Sequence, residues 1–389
     1  MDASLIISRK MRFKGKLAMF SIALSFLVMI LSVAVSSGFR TEIRRVLADT
    51  SGDIIIQPLN MSYDGRAATL GPTPAYLSSL SSFDGVTSVN PVVYKGAIIK
   101  NKDLVHGIMF KGIEGCNSDS TSMNVSIPYK LAQMMGLVVG DKMLSYFVDE
   151  KVRVRNFIVS DIYESPLEHE DFFIAYADIK DLQRIDGARN DRLSAFEINV
   201  SPEYRNREEL ELLTMDIGHT IMSEIGEDDD TAIPTSLYGR YPQIMDWLDL
   251  IDFNVMFIII LMLIVACFNM ISALLIILFE NISTIGLLKA LGMRTKAIAR
   301  IFFYGAGSIV LKGMLIGNLL AVFICLIQKY TQVLTLNPVN YFLSAVPIDL
   351  NFGFLLICDV VAFILIMATL IIPSLFISRV DPAQTMRVS

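Results

Sequence analysis

Residues 280–300 read ENISTIGLLKALGMRTKAIAR, 21 residues held between two long apolar runs. Ile282, Ile285, Leu288 and Leu291 recur at helical spacing with Leu287 beside them, which predicts a short amphipathic helix. Ser283 is placed to cap its start and Gly292 to end it. Lys289, Arg294, Lys296 and Arg300 make the stretch basic against one acid, Glu280. A short basic connection between apolar runs marks a cytoplasmic loop between membrane spans.

Outward from that loop, four runs are long enough to cross a bilayer, which takes about 20 apolar residues as helix. They are Leu17–Val35, Phe253–Phe279, Ile301–Ile327 and Phe352–Ile377. The chain is 53% hydrophobic with a mean hydropathy of +0.54, too apolar for an ordinary soluble protein, yet 19% charged, too polar to be membrane throughout. The expected fold class is a membrane protein with four transmembrane helices and a large extracytoplasmic α+β domain inserted between helices one and two.

Charge divides along the same line. Residues 40–249 hold 20 lysines and arginines against 33 acids, a net −13, and the remainder carries +7. The basic residues flank spans rather than lining a groove, so nucleic acid is excluded as a partner. Arg9, Lys10, Arg12, Lys14 and Lys16 precede span one, and Arg379 and Arg387 follow span four, whereas residues 328–351 hold only Lys329. Both termini and the 280–300 loop are expected on the cytoplasmic side of a bacterial inner membrane, with the acidic domain in the periplasm. The basic start and apolar core of residues 1–38 also resemble a signal peptide, but the core is long for one and reads as an uncleaved anchor.

The expected layout is an interfacial segment over 1–16, span one and its outward continuation over 17–38, the extracytoplasmic domain over 39–249, span two over 250–279, and the basic loop over 280–300. Span three follows over 301–327, an outer loop over 328–351, span four over 352–377 and a tail over 378–389. Within the domain, residues 50–103 and 190–240 each read as β-α-β and form one subdomain from the two ends of the insert. Residues 104–189 form a second, inserted one. Helical spacing of Phe39, Ile43, Val46 and Leu47 extends span one as a stalk, and Trp247 sits where aromatic anchors favour the interface. Gly313 and Gly317 give span three a small-xxx-small pair. Lys312 and Asp359 are charges inside spans, candidates for pairing or for a functional role.

Nothing in the domain reads as catalytic, and no metal site is expected. Glu168-His169-Glu170-Asp171 and the acids from Glu227 to Asp230 read as solvated turns. No G-x-x-x-x-G-K-[ST] phosphate loop occurs. The chain is expected not to be an enzyme.

Three local patterns resemble FtsX-like ABC permeases, the group that includes MacB and the Lol lipoprotein-releasing permeases. Phe268-Asn269-Met270-Ile271-Ser272 followed by Ile285-Gly286-Leu287-Leu288-Lys289-Ala290-Leu291-Gly292 looks like that family's second span and coupling helix. Asp381-Pro382-Ala383-Gln384-Thr385-Met386-Arg387 is similar to its closing segment. Ser36-Ser37-Gly38-Phe39 matches the exit of span one, and Phe110-Lys111-Gly112-Ile113 and residues 131–141 resemble the Lol type.

The resemblance implies a permease working with two copies of a separate ATPase subunit, which would hold the ATP and Mg, and with a second permease copy or paralogue. It also implies membrane lipid, a lipoprotein substrate and a periplasmic carrier as partners, and no cofactor in this chain. Ile285, Leu287, Leu288 and Leu291 would seat in the ATPase, with Glu280 and Lys289 at the rim and Gly286 and Gly292 shaping the helix. Phe39, Ile43, Trp247, Ile251 and Val255 would border a cavity for acyl chains. Carrier recruitment in the family goes with a protruding hairpin, for which the span from Phe147 to Arg155 leaves little room. Regulation of an extracytoplasmic hydrolase and efflux remain alternative readings.

Overall fold

A computed structural model describes residues 16–59, 69–102, 104–115, 123–148, 152–164, 173–186, 191–227, 229–337 and 343–371. Most of the expected interfacial segment, Cys116, Glu168–Asp171 and the closing segment lie outside these residues. The chain divides into two compact units. The membrane unit takes residues 1–41, 247–334 and 346–389, and the sheet unit takes 42–246 and 335–345.

Among the described residues four helices are long and apolar enough to cross a membrane: α1 (Lys16–Ser51), α7 (Pro242–Glu280), α9 (Thr295–Thr331) and α10 (Phe352–Thr369). A bilayer core takes about 20 residues. At 36 and 39 residues, α1 and α7 overshoot it. The helical spacing of Phe39, Ile43 and Val46 carries α1 onward without a break.

The membrane unit packs on glycine. A Cβ on Gly317 would lie 2.4 Å from the Ala23 carbonyl oxygen, and one on Gly313 would lie 2.9 Å from that of Met19. The small pair in α9 therefore lets the α1 backbone come close. Gly38 does the same for the outer connection, where a Cβ would stand 2.4 Å from the Pro347 oxygen. Ile22, Phe26, Met270, Phe302, Val310 and Ile366 fill the centre. Gln328 organises the loop after α9: its Nε2 donates to the carbonyls of Leu334 (3.1 Å) and Val346 (3.3 Å), and its Oε1 accepts from the Leu334 N–H (2.9 Å). Asp359 is buried and accepts from Asn318 Nδ2 at 2.5 Å. Among the described residues no ion pair joins Asp359 to Lys312, so the pairing of the two intramembrane charges is replaced by Asn318–Asp359.

The described residues of the sheet unit form nine strands: β1 (Ile54–Pro58), β2 (Val86–Asn101), β3 (Leu104–Ile113), β4 (Asn124–Pro128), β5 (Lys142–Val148), β6 (Val152–Tyr163), β7 (Ile174–Asp178), β8 (Ala195–Val200) and β9 (Ala232–Ser236). Their order is β3-β7-β4-β6-β5-β2-β8-β1-β9, with β2 also paired to β3. Short helices α2 (Leu77–Leu80), α3 (Tyr129–Met135), α4 (Ile179–Asp186) and α6 (Leu237–Arg240) punctuate the strands. The longer α5 (Arg207–Glu224) buries Leu210, Leu213, Ile217 and Ile221, and Asn206 caps it by accepting from the Arg207 N–H.

β2 is the axle of this unit. Its first half pairs with β8 from Val86↔Val200 to Val92↔Ala195, and its second half pairs with β3 and β5. Lys95, Gly96 and Lys100 interrupt the apolar run of this strand in the sequence. Val93, Ala97 and Ile99 are buried all the same, a strand alternation that runs on through the lysines. The two ends of the insert and its middle therefore share one strand.

Candidate functional site

The 280–300 stretch is divided among three helices. α7 ends at Glu280, α8 spans Ile282–Ala290, and α9 begins at Thr295. Asn281, not Ser283, stands at the N-cap, and its Nδ2 donates back to the Ile277 carbonyl at 2.8 Å. Gly292 closes α8 with a φ of +83°. The Gly292 N–H donates to Lys289 O and the Met293 N–H to Leu288 O, both at 3.0 Å, the wrap that a left-handed glycine permits.

The faces of α8 separate. Ile285 and Gly286 are buried, and Ile285 belongs to the cluster containing Ile277, Ile298 and Phe302, with Leu288 packed against it. Leu287 and Leu291 are 55% and 76% exposed, and Glu280 and Gly292 are exposed with them. Ile285, Gly286 and Leu288 thus hold α8 to its own bundle, Lys289 is half-buried, and Leu287, Leu291, Glu280 and Gly292 stand on the accessible side. Apolar residues occupy nearly every side of this short helix, so spacing alone could not rank its faces.

At the other end of the membrane unit, Phe39 meets Trp247 edge-on with ring centroids 6.3 Å apart. Arg40 bridges Asp249 and Asp252, each at 2.6 Å. Ser36 donates to Asp252 at 2.5 Å and Ser37 to Asp349 at 3.0 Å. The Ser36–Phe39 motif therefore makes four separate contacts: two hydroxyl bonds, one close backbone approach and one ring contact. Val255 packs against Ile30 and Val33, and Ile251 is half-buried. Ile43 belongs to the sheet unit and is 1% exposed. The five expected cavity residues are thus divided between units. The large apolar side chains open to the surroundings near them are Leu250, Phe253, Met256 and Phe257.

Sequence reasoning gave no role to a polar cluster buried in the sheet unit. Lys111 in β3 is almost wholly buried, and its Nζ donates to Glu197 Oε2 in β8 and to the Thr50 carbonyl near the end of α1, both at 2.7 Å. The Tyr94 hydroxyl donates to the other Glu197 oxygen, and the Lys111 and Arg240 cations each lie 5.9 Å from the Tyr94 ring centre. Burial pushes the Lys111 ammonium down, opposed by Glu197. Burial first, then Glu197, pushes the Tyr94 phenol up. The signal was a single charge in the middle of each of two apolar strands, Phe110-Lys111-Gly112 and Phe196-Glu197-Ile198. Beside the cluster lies a cavity of about 690 Å³ lined by Ser88, Asn90, Lys111, Tyr176, Glu197 and Asn199 among others.

The acidic turn is structural. Asp229 accepts from the N–H groups of Ala75 (3.0 Å) and Gly226 (2.9 Å), which hold its carboxyl below the usual range. Asp230 pairs with Arg192 at 2.5 Å. Among the described residues no group of three or more His, Cys, Asp or Glu side chains is placed to hold a metal ion.

Residues 256–382, covering most of α7 and all of α8, α9 and α10, match the FtsX-like permease C-terminal family. They form an FtsX-like permease domain. Over 94% of its length the chain is 22% identical to the lipoprotein-releasing system transmembrane protein LolC of Xylella fastidiosa, covering 92% of that protein. It is 22% identical to LolC of Neisseria meningitidis serogroup B over 97% of its length, covering 94% of that relative. Among solved structures, the periplasmic region of MacB from Actinobacillus actinomycetemcomitans aligns with 51% of the chain and 95% of its own, at a TM-score of 0.32 and 12% identity. The extracellular domain of YknZ, a noncanonic ABC-type transporter from Gram-positive bacteria, aligns with 47% of the chain and 98% of its own, at 0.29 and 11%. The matched domain and these relatives support an ABC-transporter permease, and four of the described helices are long and apolar enough to cross a membrane.

Proposed function

We propose that this FtsX-like permease works with a separate ATPase to lift lipoproteins out of the outer leaflet of a bacterial inner membrane. The single observation that carries the reading is its nearly end-to-end similarity to transmembrane proteins of lipoprotein-releasing systems. On this reading the accessible side of α8, with Leu287 and Leu291 flanked by Glu280 and Lys289, seats in the ATPase. ATP and Mg belong to that subunit, present in two copies. A second permease copy or paralogue covers the apolar faces of α7 and α10, and both termini lie in the cytoplasm.

The motion is a rigid-body exchange between two packed arrangements. It passes from α8 into α7 and α9, and along the helical continuations of α1 and α7 into the sheet unit. Work is needed because each acyl CH₂ drawn from the bilayer costs about 0.8 kcal/mol. Acyl chains would lie along Leu250, Phe253 and Phe257 beside Phe39, Trp247, Ile251 and Val255. Val148 of β5 pairs directly with Val152 of β6, which favours recruitment of a periplasmic carrier by a partner permease, or by a different route, over recruitment by this chain.

The test is reconstitution of the chain with its ATPase and a triacylated lipoprotein in vesicles, scoring ATP-dependent release. Release that stops when ATP cannot be hydrolysed supports the reading. Absence of release, with export of a small amphiphile or activation of a cell-wall hydrolase instead, overturns it.

A further inference from the structure

The buried Lys111–Glu197 pair joins segments that are far apart in sequence. Lys111 lies on β3, Glu197 on β8, Tyr94 on β2 where that strand changes partners, Thr50 at the end of α1 and Arg240 at the end of α6, just before α7. A cation at a helix C-terminus satisfies a carbonyl that the helix leaves unpaired and favours the negative end of its dipole. Lys111 does this from within the sheet.

Gly52 makes the approach possible. It turns the chain at φ +72° directly over Glu197, whose Cβ would lie 3.1 Å from any added side chain. The outgoing and returning segments are also tied to each other. Arg44 of α1 donates to the Tyr238 hydroxyl of α6 and stacks 5.3 Å from its ring centre, and the Tyr241 hydroxyl donates to Ser51 at 3.4 Å. Simple packing of a helix on a sheet would not need a buried ion pair, since a hydrophobic pair of similar volume is generally as stable. A charge pair differs from an apolar one in direction. It holds one geometry and resists sliding.

From this geometry we infer that Lys111 and Glu197 are the positioning pair that fixes the end of α1 to the junction of β2, β3 and β8, so that movement of α1 is delivered to both halves of the sheet. The inference rests on the transmission reading above and adds the residues through which transmission runs.

The test uses the full chain with its ATPase in lipid nanodiscs. Hydrogen exchange is compared without nucleotide and with ATP plus vanadate, alongside ATP hydrolysis and melting temperature. The informative change is Lys111→Met with Glu197→Leu, because removing both charges leaves no unpaired ion. It is expected to hydrolyse ATP within twofold of the unaltered chain and to stay folded, melting a few degrees earlier because the Thr50 carbonyl and the Tyr94 hydroxyl lose their partners. The nucleotide-dependent change in exchange over Val86–Val92 and Leu104–Ile113 is expected to fall at least fivefold. Full retention of that change overturns the inference and makes the pair structural only. An unaltered chain whose sheet unit shows no nucleotide-dependent change overturns the transmission reading itself, a separate outcome. Should the double variant fail to fold, Lys111→Met with Glu197→Gln, which keeps the shape at Glu197 and its bond from Tyr94, is read in the same way.

Discussion

Half of the most apolar window of α1 is buried within the chain, against 17% of the corresponding windows of α7 and α10. All three are apolar enough to cross a membrane. They differ in what lies beside them. The inward face of α1, with Ile22, Ala23 and Phe26, receives Gly313 and Gly317 of α9. The faces of α7 and α10 end in Phe257, Phe268, Leu356 and Ile364, all more than half exposed. Hydropathy therefore identifies a span, while the small residues of a neighbour decide whether it sits inside its unit. The exposed faces of α7 and α10 need apolar contact that water does not supply, from lipid or a second copy.

The most direct way to break the contrast is Gly317→Leu. The new side chain would start 2.4 Å from the Ala23 carbonyl oxygen, and backbone cannot rotate away as a side chain can. Overpacking of this kind costs about 3 kcal/mol, and the unit should melt markedly earlier in detergent. Leu319→Ala, two residues on and 75% exposed, should change melting by less than about 0.5 kcal/mol. Equal losses at both positions would mean that α1 and α9 do not meet through the glycines.

A smaller effect is expected at the loop that follows α9. Gln328→Leu removes two donated hydrogen bonds and one accepted one, and strands backbone groups of Leu334 and Val346. The expected loss is about 2 kcal/mol, with faster proteolysis after residue 331. An unchanged cleavage rate would show that water replaces the side chain fully.

How much of this was legible in the sequence follows from the same contrast. The four long apolar helices and the continuation of α1 past Val35 were readable, because each follows from a local period or a run of known length. The inward role of Ile285 was not. On α8 the apolar residues Ile282, Ile285, Leu287, Leu288 and Leu291 surround the axis, and only the packing of Ile277, Ile298 and Phe302 picks out a buried side. The Lys111–Glu197 pair was illegible for a related reason. Its partners are 86 residues apart, and a lone lysine in a strand ordinarily marks a solvent face.

The two sides of α8 then give a sharper form of the comparison. Leu291→Asp puts a charge where the side chain is 76% exposed, so melting should stay within about 0.5 kcal/mol. On the proposed seating, stimulation of the ATPase should fall about tenfold, a loss of about 1.4 kcal/mol in coupling. Ile285→Asp, at the buried position, should fail in both measurements. Normal stimulation by the Leu291 variant would move the ATPase contact elsewhere on the loop.

The smallest effect probes burial in the sheet unit, where an apolar surrounding meets a polar group with no obvious recompense. Tyr76 is fully buried, and its hydroxyl has no hydrogen-bond partner among the described residues. Burial, then the carboxylates of Asp229 and Asp230, pushes its phenol up to about 12. A pKa raised in the folded state contributes stability that is complete below the ordinary phenol value near 10 and is lost as pH rises through about 12. Tyr76→Phe keeps the ring and removes the unpaired hydroxyl, so it should raise stability at neutral pH by about 1 kcal/mol. It should also flatten the decline between the two values. Tyr94, raised as well by burial and Glu197, should keep part of that decline in the variant. Melting curves from pH 7 upward for the two chains decide the point: loss of stability at pH 7 would mean that the Tyr76 hydroxyl is hydrogen-bonded in solution.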